Sequence, residues 1–234
     1  MITFDDVRFS YVADRAALTI QRLTIDRGLT LVVGPNGAGK STMLRLIAGV
    51  ERPTTGTVCI DGHDLWKEEV AARRGLAYVP EHPELTPYAT IGDTALLVAG
   101  LRGVDPLEAV DALHRAGLLP LAHRTVRELS MGQRRRALLA TALIGDARVL
   151  VLDEPLETMD QEMRAFVHEL VRERRAAGAA VLVATHEIEP FAGDADAVIA
   201  VRDGVVHHES IGGVPAGDRL AHIISLARGA EADG

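Results

Sequence analysis

Leu31-Val32-Val33-Gly34-Pro35-Asn36-Gly37-Ala38-Gly39-Lys40-Ser41-Thr42 decides the fold. An apolar run enters a glycine-rich turn, and a helical pattern from Met43 to Ala48 leaves it. A buried strand, a tight loop and a helix are therefore expected in succession. Gly37 and Gly39 lack the Cβ atoms that would hold a ligand off the backbone, so successive N–H groups can point inward as an anion nest. The helix starting near Lys40 adds its positive end to that nest. The Lys40 ammonium can sit between β- and γ-phosphate oxygens, and the Ser41 hydroxyl is a hard oxygen ligand suited to Mg²⁺. The stretch reads as a cradle for a nucleoside triphosphate, because a chance glycine turn would lack this flanking strand and helix.

The chain has 234 residues, enough for a full core in one large domain or one domain with an inserted lobe. Hydrophobic residues make up 47%, which excludes disorder, and aromatics only 3%, which favours helices and parallel strands over an all-β sandwich. A formal charge of −8 argues against a nucleic-acid partner held by a broadly basic surface. The single cysteine, Cys59, cannot form an internal disulfide, fits a reducing compartment and is expected at a buried strand position without a functional role. Met1-Ile2-Thr3-Phe4-Asp5-Asp6 lacks the basic start and apolar core of a secretion signal. No apolar run approaches the roughly 20 residues that span a bilayer, so a soluble chain is expected whose membrane role comes through a partner.

Residues 2–11 alternate as a half-buried strand, and Leu18-Thr19-Ile20 with Leu23-Thr24-Ile25 continue the pattern, so antiparallel pairing is expected there. Short strands follow at residues 56–62 and 75–79. Between Glu81 and Asp146 the periodicity becomes helical, interrupted by Pro83, Pro87, Pro106 and Pro120. This implies a helical lobe over residues 82–145 inserted into a core of residues 1–81 and 146–211, with a tail at 212–234. Alternating β and α patterns resume with Val149-Leu150-Val151-Leu152, a helix over residues 161–177 and a strand over 180–184. A terminal hairpin around Asp203-Gly204, a short helix starting at Leu220 and a frayed end at 230–234 complete the expectation.

Two further stretches carry chemistry. Asp153-Glu154-Pro155 closes an apolar strand, where one acid can hold the Mg²⁺ shell and the next can orient and polarise a water. Alone the pair would equally suit a solvated turn; a phosphate cradle in the same chain favours catalysis. Leu129-Ser130-Met131-Gly132-Gln133 precedes Arg134-Arg135-Arg136 and a helical run. Ser130 is an N-cap residue type and Gly132 permits close backbone approach, so this helix start is a second anion-facing surface.

Together these motifs resemble the ATPase subunit of ATP-binding cassette (ABC) transporters over nearly the whole chain. Leu129-Ser130-Met131-Gly132-Gln133 is similar to that family's signature, usually Leu-Ser-Gly-Gly-Gln, with Met131 as the departure. The resemblance implies a phosphate-loop NTPase core of α/β class with a mainly parallel sheet, an N-terminal antiparallel β subdomain and the helical lobe. It implies ATP and Mg²⁺ as ligands, with Gly34 to Thr42 binding ATP and Ser41, Asp153 and Glu81 around the metal. It implies a head-to-tail dimer, homomeric or heteromeric, in which Ser130 and Gly132 reach the γ-phosphate held by the partner. Glu154 becomes the catalytic base, and His186, which follows the strand ending Ala184-Thr185, matches the switch histidine beside the γ-phosphate.

Tyr11 resembles the aromatic that stacks on adenine, with Phe9 as the alternative and a plain core aromatic as the bland reading. Asp160, in Leu156-Glu157-Thr158-Met159-Asp160, resembles the aspartate of the loop joining the two sites; Glu157 and Met159 depart from the usual Thr-Ser-Ala-Leu-Asp. Glu81 stands where the family usually has glutamine, a departure shared with some exporter branches, and is otherwise an exposed loop acid. The resemblance implies a separate integral membrane permease docked near residues 81–88, a cytoplasmic position on the membrane face, and no nucleic-acid partner. Export is the expected direction. The rivals are a non-transport family member, for example in metal-cluster assembly, and an ordinary phosphate-loop kinase or NTPase, which leaves residues 129–133 and His186 without a role.

Overall fold

The computed structural model describes residues 1–12, 15–82, 85–157 and 159–229. Pro83, Thr158 and the expected frayed end at 230–234 lie outside them. The described strands form one ten-stranded sheet. In chain order they are β1 (Ile2–Phe9), β2 (Leu18–Ile25), β3 (Gly28–Val33), β4 (Thr55–Ile60), β5 (His63–Asp64), β6 (Leu76–Val79), β7 (Val149–Asp153), β8 (Ala180–Ala184), β9 (Ala197–Arg202) and β10 (Val205–Ser210). The spatial order is β5-β4-β1-β2-β10-β9-β3-β8-β7-β6. The half from β9 to β6 is parallel, and β1, β2, β4 and β5 pair antiparallel.

The helices are α1 (Lys40–Ile47), α2 (Glu69–Arg73), α3 (Ile91–Arg102), α4 (Pro106–Arg115), α5 (Met131–Leu143), α6 (Gln161–Ala176), α7 (Glu189–Ala192) and α8 (Ala216–Arg228). Period-2 alternation in the central strands explains how they are placed. Leu150 and Leu152 of β7 with Val181 and Val183 of β8 join α6 residues Met163, Val167 and Leu170 in one core. Val149, Val151 and Leu182 join α1 residues Met43, Leu44, Leu46 and Ile47 in the other. Every residue of β7 and β8 is buried, as strands covered on both faces require. The consequence for function is that the C-terminal ends of β3, β7 and β8 open together on one edge, where ligands of open α/β sheets bind.

Helices α3, α4 and α5 pack on one another, and α5 also meets β6. Each has a side-chain N-cap: Thr90 Oγ1 accepts from Asp93 N at 3.0 Å, Asp105 Oδ1 from Leu107 N at 2.8 Å and Ser130 Oγ from Gln133 N at 3.2 Å. Pro106 and Pro120 thus mark helix starts rather than interruptions.

Some expectations change. The first strand stops at Phe9, two residues short, and Cys59 is only half-buried on β4. The last helix spans Ala216–Arg228 rather than starting at Leu220, because Ile223 is fully buried and anchors it. Among the described residues no helix is long and apolar enough to cross a membrane.

Candidate active site

The loop between β3 and α1 is shaped by glycines, but the tightest is not one of the two expected from sequence. Gly34 has φ +144°, and a Cβ there would lie 2.1 Å from the Val201 carbonyl oxygen. The loop therefore leaves β3 pressed against β9. Gly39, at φ +114°, is the N-cap of α1, where a Cβ would come 3.2 Å from Ala17 O. Gly37 has φ +77° and an unobstructed Cβ direction, so backbone conformation rather than space selects glycine there. Gly34→Ala is expected to destabilise the chain by more than about 2 kcal/mol, through clash plus strain. Gly37→Ala should cost about 1–2 kcal/mol from strain alone. Thermal unfolding of the two variants side by side checks the order.

Lys40, the first residue of α1, is buried, and its ammonium donates to Gly34 O at 2.8 Å and Pro35 O at 3.2 Å. Burial pulls its pKa below the usual lysine value, and Glu154, Asp153 and Glu81 partly restore it. The loop's own carbonyls thus hold the charge in place at the loop mouth. Ser41 Oγ donates to Asp153 Oδ1 at 3.3 Å, joining the start of α1 to the end of β7.

Asp153 is almost fully buried, and burial raises its pKa against the opposing Ser41 hydrogen bond. Glu154 follows with φ +44°, a left-handed conformation rare for a non-glycine residue and of the kind that clusters at functional sites. Burial raises the Glu154 pKa as well, opposed by His186 and Lys40. His186, just beyond β8, donates its backbone N–H to Glu154 Oε2 at 3.2 Å, and its Nε2 stands 3.1 Å from Oε1. That approach is not a hydrogen bond: Oε1 is buried without a hydrogen-bond partner. A carboxylate held against an imidazole in the wall of a cavity is suited to receive a water proton.

A cavity of about 870 Å³ runs past these groups. Its wall includes Tyr11, Asn36, Gly37, Gly39, Lys40, Ser41, Thr42, Glu81, Glu154 and His186. Pro35 and Ala38 lie in the same loop, where the Pro35 carbonyl accepts from Lys40 and from Ala38 N. Tyr11 is half exposed, stacks edge-on against Phe9 with centroids 4.7 Å apart, and its hydroxyl is 3.2 Å from Thr42 Oγ1. Phe9 is buried, so of the two aromatics Tyr11 has a face open to a ligand. Glu81 is partly exposed in the wall, 3.7 Å from His82 Nε2.

Residues 129–133 are not among the cavity's lining residues. Ser130 and Gln133 instead cap α5 reciprocally: Ser130 N donates to Gln133 Oε1 at 3.0 Å, and Gln133 N donates to Ser130 Oγ at 3.2 Å. Leu129 is buried as an anchor, whereas Ser130, Gly132 and the 65% exposed Met131 face outward. Asp160 caps α6 through Met163 N at 2.9 Å and accepts from Arg136 of α5 at 3.2 Å.

Sequence reading missed several wall residues. Val12, Arg15, Ala16 and Ala17 enter from the connection between β1 and β2, and Asp203-Gly204 from the β9–β10 turn. The turn was legible as a hairpin; its docking on the phosphate loop, Gly204 N to Ala38 O at 3.0 Å, is a long-range contact without a local signal. Glu157 also lines the cavity. Its only sequence signal was its departure from a usual serine.

The oxygens of Ser41, Asp153 and Glu81 are hard donors that fit Mg²⁺, which takes few protein ligands and completes its shell with water and phosphate. Consistently, no three His, Cys, Asp or Glu side chains among the described residues are grouped to hold a metal by themselves.

The family model described as "ABC transporter" matches residues 18–157. The chain is 34% identical over 200 residues to the Fe(3+) ions import ATP-binding protein FbpC 1 of Haemophilus influenzae, covering 83% of this chain and 60% of that one. It is 32% identical over 216 residues to the cell division ATP-binding protein FtsE of Escherichia coli, covering 88% and 97%. The chain thus spans about 60% of the length of its FbpC relative but nearly all of FtsE. Among solved structures, the dimeric post-hydrolysis ATP-binding cassette MJ0796 bound to ADP and Pi superposes with a TM-score of 0.79 at 27% identity, covering 90% of this chain and 99% of that one.

Proposed function

The chain belongs to the ABC transporter family, and we propose that it binds Mg·ATP, hydrolyses it, and energises a membrane protein complex as a closing and opening dimer. One observation carries the reading: Lys40, Ser41, Glu154 and His186 line one cavity at the ends of β3, β7 and β8. The Glu154 carboxylate is held against the His186 imidazole, and the glycine-rich loop after β3 lines the same wall. The phosphate loop cradles the triphosphate, Lys40 neutralises its β- and γ-oxygens, and Tyr11 stacks on the base. Ser41, Asp153 and Glu81 hold the Mg²⁺, which when bound neutralises phosphate charge. Glu154 orients and deprotonates the attacking water, and His186 steadies the γ-phosphate and Glu154 together.

Leu129 to Gln133 complete the site of a second subunit. The exposed cap of α5, outside its own chain's cavity, supports this reading, as does the dimeric form of MJ0796. Asp160, tied to α5 through Arg136, relays between the two sites. The division into a core of residues 1–81 and 146–211, a helical lobe of 82–145 and a tail of 212–234 belongs to the same reading. So does a permease docked near residues 81–88, where Tyr88 is largely exposed. The subunit then sits on the cytoplasmic face of the membrane.

The export direction expected from Glu81 finds no support among the relatives. FbpC is an import protein by name and FtsE a cell division protein, so import is the direction they favour. Glu81 is instead assigned to Mg²⁺ and water. Glu81→Gln is expected to keep ATP binding and to change the Mg²⁺ dependence and rate of hydrolysis, since one negative charge leaves the wall. Unchanged Mg²⁺ dependence and ATPase rate, with and without the membrane partner, would refute that role.

The test of the proposal is ATP hydrolysis by the purified chain, with co-purification from membranes of a polytopic protein. Absence of turnover, alone and with that protein, would overturn it.

A further inference from the structure

Arg135 lies on the second turn of α5 and is only 7% exposed, an unusual place for a long cationic side chain. Its guanidinium reaches the ends of two strands. Nη1 donates to Pro80 O at 3.0 Å, and Nη2 donates to Glu154 O at 2.7 Å with Asp153 O at 3.4 Å. Pro80 immediately precedes Glu81, so both carbonyl anchors adjoin carboxylates of the hydrolytic site. A planar fork with donors at fixed angles suits such a bridge, which a single point donor would not span.

The anchored peptides include the strained one. Glu154 has φ +44°, and its N–H donates to Ala184 O at 2.9 Å while its carbonyl accepts from Arg135. Strained conformations persist where the surroundings over-determine them, and here β8 holds one side of the residue and α5 the other. The same helix begins with Ser130, Met131 and Gly132 at its exposed end.

We infer that Arg135 is a positioning residue for hydrolysis: by clamping the backbone after β6 and β7 it sets the Glu81 and Glu154 carboxylates, and it ties their setting to the helix that meets the partner's nucleotide. The inference rests on the ATPase reading above. Its consequence is a direct mechanical link. A shift of α5 on dimer closure moves the backbone of Glu154 through one side chain, without passing through the nucleotide.

The test uses the full chain with Arg135→Met, which keeps an unbranched apolar stem and removes the donors, and Arg135→Lys, which keeps charge and loses the fork. Steady-state kinetics, anisotropy of a fluorescent ATP analogue and thermal melting are measured for each. Arg135→Met is expected to lower kcat at least about tenfold with KM and analogue affinity within about threefold, because misplacement near the chemistry costs rate rather than binding. Arg135→Lys should recover part of kcat by serving one strand end. If Arg135→Met does not fold, a folded Arg135→Lys with lowered kcat and unchanged KM supports the clamp. Wild-type kcat in a folded variant, or losses of kcat and affinity that only track a fallen Tm, would overturn it. A wild-type chain that binds ATP without turnover would overturn the ATPase reading itself and the inference with it.

Discussion

Glu154→Gln is expected to lower ATP turnover by about 10²–10⁴-fold, the range lost with a positioned general base, while ATP affinity stays near wild type. The amide is nearly isosteric and can still meet the His186 backbone N–H, which now bonds Oε2 at 3.2 Å. What disappears is the acceptor for a proton. Steady-state turnover with a separate equilibrium binding measurement checks both halves; full turnover in the variant would remove Glu154 from the mechanism.

The pH dependence follows from the raised pKa of Glu154. Burial keeps the folded chain protonated over a window above the ordinary glutamate value, where the unfolded chain is already ionised. The folded state binds more protons there, so stability falls as pH rises through that window. Turnover moves the opposite way, because the base works only when ionised. Glu154→Gln should flatten its part of the stability slope in pH-resolved melts. Asp153, also raised by burial, leaves a remainder.

Lys40→Ala has the second large effect, an expected loss of ATP affinity of about 10- to 100-fold with turnover falling alongside. The size follows from the charges around the cavity. Its wall includes the acids Glu81, Glu154, Glu157 and Asp203 against the cations Arg15 and Lys40, with His186 beside them. A triphosphate entering without Lys40 meets a predominantly negative wall and depends more heavily on Mg²⁺. Titration of Mg·ATP by calorimetry reads the loss; affinity within twofold of wild type would contradict the role. Lys40→Arg should not rescue, since the loop carbonyls at 2.8 and 3.2 Å bind a compact ammonium and a guanidinium is larger and planar.

The legible parts of the molecule were those written in local pattern. Continuous apolar runs marked β3, β7 and β8, and helical pattern marked α5 and α6, because a strand buried on both faces and a helix packed on one each leave a signal in consecutive residues. The cradle, the acid pair and the capped helix start at Ser130 were local for the same reason. Contacts between distant segments were not legible. Gly34 is selected by the Val201 carbonyl, a residue of β9. Asp203-Gly204 looked like an ordinary turn until the sheet order brought it to the phosphate loop. Arg135 sat within a run of arginines after an anion-facing helix start, and only the packing of α5 on β6 turns its guanidinium inward to the carbonyls of Pro80 and Glu154. The direction of transport failed differently: one loop residue, Glu81, was asked to decide a property that belongs to the membrane complex.

The central claim is that the cavity is half of a site completed by a second subunit. Light scattering of the Glu154→Gln variant, with and without Mg·ATP, measures it most directly. A monomer that doubles in mass on adding Mg·ATP, and fails to do so when Ser130 is also replaced by a bulky acidic residue, is the expected result. A Glu154→Gln chain that binds Mg·ATP to saturation and remains monomeric at every accessible concentration would contradict it.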